Sequence, residues 1–216
     1  MINQLLEIIR NFYDLEEIDT NAYKNAELNG NPLKIKSFNA IKLGSVSVLS
    51  SNSNVMNLDT LVINPFNKDL HLFSYDRIKV FQTDTLLIEL YDTLLDKTIN
   101  QEVDGSLKKI KEKYQEINEL ESKTNWYDSI RLDASIAKKV DQNKSIILDE
   151  LSLEYLKEYL MISKNLDYCN EELKKEKAKE YTDGLLENGG PSTDAFIQAK
   201  GKEYTEKLYR EVLFRV

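Results

Sequence analysis

The sequence has a single cysteine, Cys169, and a single histidine, His71. One thiol forms no internal disulfide and holds no iron–sulphur cluster, which suits a reducing cytoplasm. One imidazole excludes His-rich metal sites and most Ser-His or Cys-His machinery. With 3 Pro and 7 Gly in 216 residues, linkers, collagen-like tracts and a many-turned all-β design are disfavoured. No apolar run approaches the roughly 18–20 residues of a membrane helix. The opening Met1-Ile2-Asn3-Gln4 lacks a basic stretch and leads into an amphipathic pattern, so no signal peptide is expected. Positive charge is in deficit, 29 Lys+Arg against 37 Asp+Glu, for a net −8 at pH 7. That excludes a generally basic nucleic-acid footprint. GxGxxG, Walker A, CxxC and HExxH motifs are missing too. Any redox chemistry must draw its electrons from another protein or from a cofactor held in an unfamiliar way.

What is present is core material. Hydrophobic residues make up 41% of the chain, with 12 Tyr and 7 Phe, too many for a disordered protein. Ile2, Leu5, Leu6, Ile8, Ile9, Phe12 and Tyr13 form a helical stripe over about residues 1–17. Asn29-Gly30-Asn31-Pro32 is the strongest turn signal. From 33 to 92 the runs become short, β-branched and aromatic, and close punctuation joins them. Short returns connect antiparallel neighbours, so five or six mainly antiparallel strands are expected there. Leu107, Ile110, Tyr114, Ile117 and Leu120 then mark a helix near 105–122, and residues 153–162 a second one. Residues 126–143 read as partly helical, partly loop. The charged run 171–180 reads as a solvated helix face. After Asn188-Gly189-Gly190-Pro191 a last helix follows, capped by Ser192 or Thr193, with Ile197, Gly201, Tyr204, Leu208 and Val212 on one stripe and Gly201 permitting close approach. With no linker or repeat, residues 1–216 form a single domain of α/β (α+β) class, a three-layer α/β/α sandwich around a mainly antiparallel sheet.

Two stretches carry a family likeness. The first is Asn64-Pro65-Phe66-Asn67-Lys68-Asp69-Leu70-His71-Leu72-Phe73-Ser74-Tyr75-Asp76-Arg77-Ile78, followed by Leu87-Ile88-Glu89-Leu90-Tyr91-Asp92. The second runs from Pro191 through Lys200-Gly201-Lys202-Glu203-Tyr204 to Glu211-Val212-Leu213-Phe214. Between them lies Trp126-Tyr127-Asp128-Ser129. In order and spacing the chain resembles the ferredoxin-dependent bilin reductases. There, a strand-end proline leads through "Asp-Leu-Pro" to "Phe/Met-Gly-x-Asp-hydrophobic", and a C-terminal helix opens with proline and closes on "Leu-Phe".

The resemblance implies an open-chain tetrapyrrole held between sheet and C-terminal helices, no bound cofactor or metal, and electrons supplied singly by reduced ferredoxin or flavodoxin. It places the proton-donating acid at Asp76. Such an acid needs partial burial to keep its proton near neutrality; otherwise Asp76 is an acid at a strand start satisfied by local backbone or water. Glu89 stands for a strand-end aspartate and shapes the charge of Asp76. His71, where the family has proline, is a proton relay or axial ligand beside the substrate, or else a plain loop histidine. Arg77 and Lys79 are candidates for pairing with propionates, although regular alternation sends both to the face opposite Asp76. Thr60 stands where the phycocyanobilin branch has histidine, and Asp59 beside it points to the opposite face if register holds. Gly190 stands where other branches have aspartate. Asp194, one turn on, substitutes at the substrate or complements the helix dipole. Cys169 reads as a small core or boundary residue.

The expected function is reduction of a linear tetrapyrrole by a cytoplasmic oxidoreductase partnered by a ferredoxin-type protein, with neither nucleic acid nor membrane involved. The alternatives are a non-catalytic carrier of haem or bilin on the same fold, and a ligand-free scaffold whose acidic surface meets a protein. A pocket between the sheet and the helices after Trp126, with Asp76 in its wall, follows from the first two readings.

Overall fold

The computed structural model describes residues 1–97, 100–120 and 124–216. Helix α1 (Ile2–Phe12) turns Leu5, Leu6, Ile8 and Ile9 inward and stops where Tyr13 becomes extended. The expected helix is therefore shorter than residues 1–17, because Leu15–Ile18 form an edge strand, β1. β2 (Glu27–Leu28) is a two-residue strand ahead of the Asn29-Gly30 turn. Five long strands follow: β3 (Asn31–Ala40), β4 (Gly44–Asn52), β5 (Met56–Asn64), β6 (Leu72–Val80) and β7 (Thr83–Tyr91). They occupy the stretch whose texture suggested a sheet. An eighth strand, β8 (Ile136–Asp141), comes from the segment read as mixed helix and loop. All described pairings are antiparallel, in the order β1-β3-β4-β5-β6-β7-β8, with β2 on β3.

The helices are α2 (Asn100–Lys113), α3 (Ser145–Asn165), α4 (Glu171–Asn188), α5 (Pro191–Lys200) and α6 (Lys202–Lys207), then a π-helical turn, Leu208–Leu213. The helix expected near 105–122 thus ends at Lys113, and residues 121 and 122 lie outside the described residues. The last helix is broken rather than continuous. Gly201, at φ +86°, ends α5, and a Cβ there would meet nothing within 4 Å, so this glycine serves a turn instead of close packing. Gly190 is the N-cap of α5 and Pro191 its first residue, in place of a Ser192 or Thr193 cap.

Strand alternation sorts side chains between two layers. One face carries Phe38, Val46, Val48, Leu61, Ile63, Phe73, Tyr75, Leu86, Ile88 and Leu90 against α1, α2 and α3. The other carries Leu33, Ile35, Leu49, Val62, Leu72 and Tyr91 against α4, α5 and the π-helical turn. This is the three-layer sandwich with a central antiparallel sheet. The first face includes a buried ion pair: Arg77 Nη2 binds Asp84 Oδ2 at 2.8 Å and the Ser145 carbonyl at 3.0 Å, fixing the start of α3 to the sheet. The second layer hides a surprise in the charged run. Lys174 and Ala178 are fully buried, and Lys174 donates to the Thr93 carbonyl at 2.6 Å and lies 3.2 Å from Asp69. That stretch of α4 is only half a solvated face. Among the described residues no helix is long and apolar enough to cross a membrane.

Candidate functional site

The second layer does not close completely on the sheet. It leaves a cavity of about 370 Å³, within the size range of small-molecule sites. Its floor is the outward side of β4–β8: Leu49, Leu58, Thr60, Val62, Ser74, Asp76, Ile78, Leu87, Glu89, Tyr91 and Ala137. Its roof is Tyr181 and Leu185 of α4, residues 190–193 and Phe196 at the start of α5, and Tyr209, Leu213 and Phe214 of the C-terminal turn. Leu120, Asn125, Tyr127 and Arg131 close one side. A wider hollow of about 590 Å³ lies by Thr83, Glu116, Glu119, Lys139, Asp141 and Lys144. It is lined by surface charges of both signs and lacks the apolar enclosure of the first.

The roof is held by specific contacts. A π-helical turn leaves carbonyls without their usual helical partners, and sheet side chains answer them. The Val212 carbonyl accepts from Ser47 at 2.5 Å and from Ser37 at 3.4 Å, and Asn64 Nδ2 donates to the Phe214 carbonyl at 2.7 Å. Tyr181 stacks on Tyr91 with ring centroids 4.2 Å apart, and Phe214 meets Tyr181 edge-on at 5.7 Å. Trp126 lies beside them. Its indole donates to the Gly189 carbonyl at 2.9 Å and lies so close to Gly184 that a Cβ there would fall 2.3 Å from the ring. Asn125 and Asp128 form a reciprocal capping box. The short turn they fix presents Tyr127 and Arg131 to the cavity.

Two carboxyl groups share the floor. Asp76 on β6 sits opposite Thr60 on β5, whose hydroxyl donates to Oδ1 at 2.5 Å. Glu89 on β7 pairs with Ser74, one diagonal step from Asp76. Glu89 accepts from the Tyr91 hydroxyl at 2.8 Å and from Arg131 at 3.0 Å, and Arg131 also binds Asp128 at 2.9 Å. The two acids are therefore in different electrostatic states. Glu89 is compensated by a cation. Burial pushes the Asp76 carboxyl up to about 6; the Thr60 bond opposes the rise and the negative charge of Glu89 adds to it. The tyrosine hydroxyls nearby stay protonated, Tyr127 raised to about 12 by burial and Tyr209 raised for the same reason. A carboxyl raised this far lies close enough to neutrality to exchange its proton there.

Asp76 and Glu89 are thus the two expected site residues that the structure brings together. Arg77 and Lys79 are not at the cavity. Because β6 is regular, both point to the opposite face, where Arg77 is buried against Asp84 and Lys79 lies 3.4 Å from the same carboxylate. His71 is neither at the cavity nor an exposed loop residue. It is fully buried just ahead of β6, its ring nitrogens have no hydrogen-bond partner among the described residues, and burial lowers it to about 4. Asp194 is exposed in the first turn of α5 with its carboxylate laid back toward Gly189, outside the cavity lining. Asp59 faces away and accepts from Ser50 at 2.8 Å. Cys169 is a half-buried free thiol whose Sγ lies 3.7 Å from the Phe66 carbonyl. The sequence reading missed Arg131, which lay in the ambiguous 126–143 segment, and Tyr181, just beyond the charged run.

No family model and no curated protein matches the chain. Among solved structures it is similar to phytochromobilin synthase from tomato in complex with biliverdin, with a TM-score of 0.82 over 99% of this chain and 81% of that one. Sequence identity is 13%, so the likeness is one of fold.

Proposed function

We propose that this chain is a bilin-reductase-like oxidoreductase, taking a linear tetrapyrrole in the cavity over β5–β7 and electrons from a ferredoxin- or flavodoxin-type protein. The observation that carries the reading is Asp76, an acid held near 6 in the wall of an apolar cavity under an aromatic roof. A flat conjugated ligand gains from stacking on that roof, and a carboxyl of this acidity suits protonation of an electron-rich tetrapyrrole at neutral pH. Reduction of one double bond takes two electrons and two protons. Each electron oxidises one donor protein, and after each the Asp76 O–H bond breaks and its proton passes to the ligand. Asp76 then recovers a proton from water. Glu89, fixed by Tyr91 and Arg131, keeps negative charge near Asp76 and so holds the proton there between steps. Arg131 supplies positive charge at the side wall. The fold shared with a biliverdin-bound protein supports the ligand class.

A second reading keeps the cavity and drops the reduction. It is favoured by Thr60 and Gly190, which stand where members of the resembled family carry further proton donors. Absorbance titration of the purified protein with biliverdin and with haemin, followed by reduced ferredoxin, decides between them. Binding with loss of the long-wavelength bilin band on reduction is the expected result. Binding without reduction makes the protein a carrier, and binding of neither ligand leaves only the fold in common.

A further inference from the structure

Thr60 is the group in direct hydrogen-bond contact with Asp76, and its hydroxyl takes one of the two carboxyl oxygens. It sits directly across from Asp76 in the β5–β6 pairing, so the backbone ladder fixes the distance between them. A threonine is β-branched and stiff at χ1, and within a strand its hydroxyl keeps its aim. We propose that Thr60 is the positioning residue of Asp76, binding Oδ1 so that the transferable proton resides on Oδ2, toward the cavity. This rests on the function proposed above and goes further, because it gives a role to a residue that cannot itself be the histidine-type donor.

The chemistry follows from what each protonation state needs. In the neutral acid Oδ1 is the carbonyl oxygen and accepts from Thr60, while Oδ2–H is the donor. When the O–H bond breaks and the proton passes to the ligand, the Thr60 bond remains and strengthens against the carboxylate. The hydroxyl therefore stabilises the conjugate base and offsets part of the burial. The other groups around Asp76 are Glu89 from β7, Tyr127 from the turn after Asn125 and Tyr209 from the C-terminal turn, with Arg131 behind Glu89. Of these, Thr60 alone bonds the carboxyl.

The test reads the Asp76 carboxyl carbon by ¹³C NMR between pH 3 and 9 in the full chain. Thr60→Val keeps the shape and removes the hydroxyl, and should move the Asp76 midpoint upward by roughly one pH unit, a tenfold change in proton affinity. Thr60→Ser should restore the wild-type midpoint. An unmoved or lowered midpoint in Thr60→Val, or a serine variant that behaves like valine, overturns the proposal. Thr60→Ala carries the same test should the valine variant not fold. Biliverdin titration of the same samples keeps the two proposals apart. Binding with an unmoved midpoint removes the role of Thr60 alone, whereas a moved midpoint without binding supports the pair and removes the tetrapyrrole reading.

Discussion

Holding Asp76 near 6 costs the folded protein stability, and that cost is measurable without any ligand. Its pKa rises from 3.8 in the unfolded chain to about 6 in the fold. A group raised in this way contributes most below pH 3.8, where both states are protonated, and the contribution is lost as pH rises through about 6. The rise corresponds to about 3 kcal/mol at 1.36 kcal/mol per pH unit. Asp76 is half-buried and open to the cavity, so solvent screening reduces the figure to roughly 1–2 kcal/mol. Asp76→Asn removes the ionisation while its amide oxygen still accepts from Thr60. The variant should match wild type at pH 4 and exceed it at pH 8, by roughly 2–8 °C in Tm for a chain of this size. Thermal melts of both proteins at half-unit pH steps give the comparison. A gap that does not vary between pH 4 and 8, or an asparagine variant less stable at pH 8, would refute the electrostatic account of the site.

Three further outcomes follow from other parts of the fold. His71 is buried neutral, lowered from 6.5 to about 4, so its contribution is full above pH 6.5 and falls by about 3 kcal/mol as pH drops through 4; His71→Leu should abolish that acid lability in urea titrations at pH 7 and 4.5. Gly184→Ala places a Cβ 2.3 Å from the Trp126 ring, so the indole must leave the Gly189 carbonyl, at a cost of roughly 1–3 kcal/mol and with a shift in emission that the chain's one tryptophan reports cleanly. Arg77→Leu leaves the buried Asp84 to the partly exposed Lys79 at 3.4 Å and the Ser145 hydroxyl, and should cost roughly 3–5 kcal/mol. If the cavity takes a tetrapyrrole as proposed above, biliverdin affinity should stay within about twofold in the folded fraction, and likewise in Lys79→Ala; a tenfold loss in either would place these cations at the proposed ligand site.

The long strands could be read from the sequence because both of their faces meet a packed layer, which calls for short β-branched and aromatic runs separated by close turns. The same alternation puts Asp76 and Glu89 on one side of the sheet. Edge strands gave no such signal. β1, Leu-Glu-Glu-Ile, continues the hydrophobic spacing of α1, and only Tyr13 and Asp14, with neither Gly nor Pro, lie between them. β8 carries Lys138, almost fully buried because its ammonium bonds the Ile117 carbonyl at 2.9 Å, and a lysine in that position reads as surface. Lys174 disguised the inward stripe of α4 in the same manner. Tyr181 reaches the cavity through that stripe of α4, and Arg131 through the turn capped by Asn125 and Asp128, which carries no hydrophobic periodicity. His71 was misplaced for the complementary reason: it follows a turn, but the Tyr159 hydroxyl bonds its carbonyl at 2.7 Å and draws the segment under α3.

Because β6 alternates Phe73, Tyr75 and Arg77 on one side with Ser74, Asp76 and Ile78 on the other, stability and the character of the cavity are written in alternate letters of one strand. Substitutions at the first set act on folding, and those at the second act on what the cavity accepts. A lineage can therefore rewrite the cavity letter by letter while selection for folding holds the intervening ones. Along each floor strand, β4 to β8, the residue that faces the cavity is the immediate neighbour of one that faces the opposite layer.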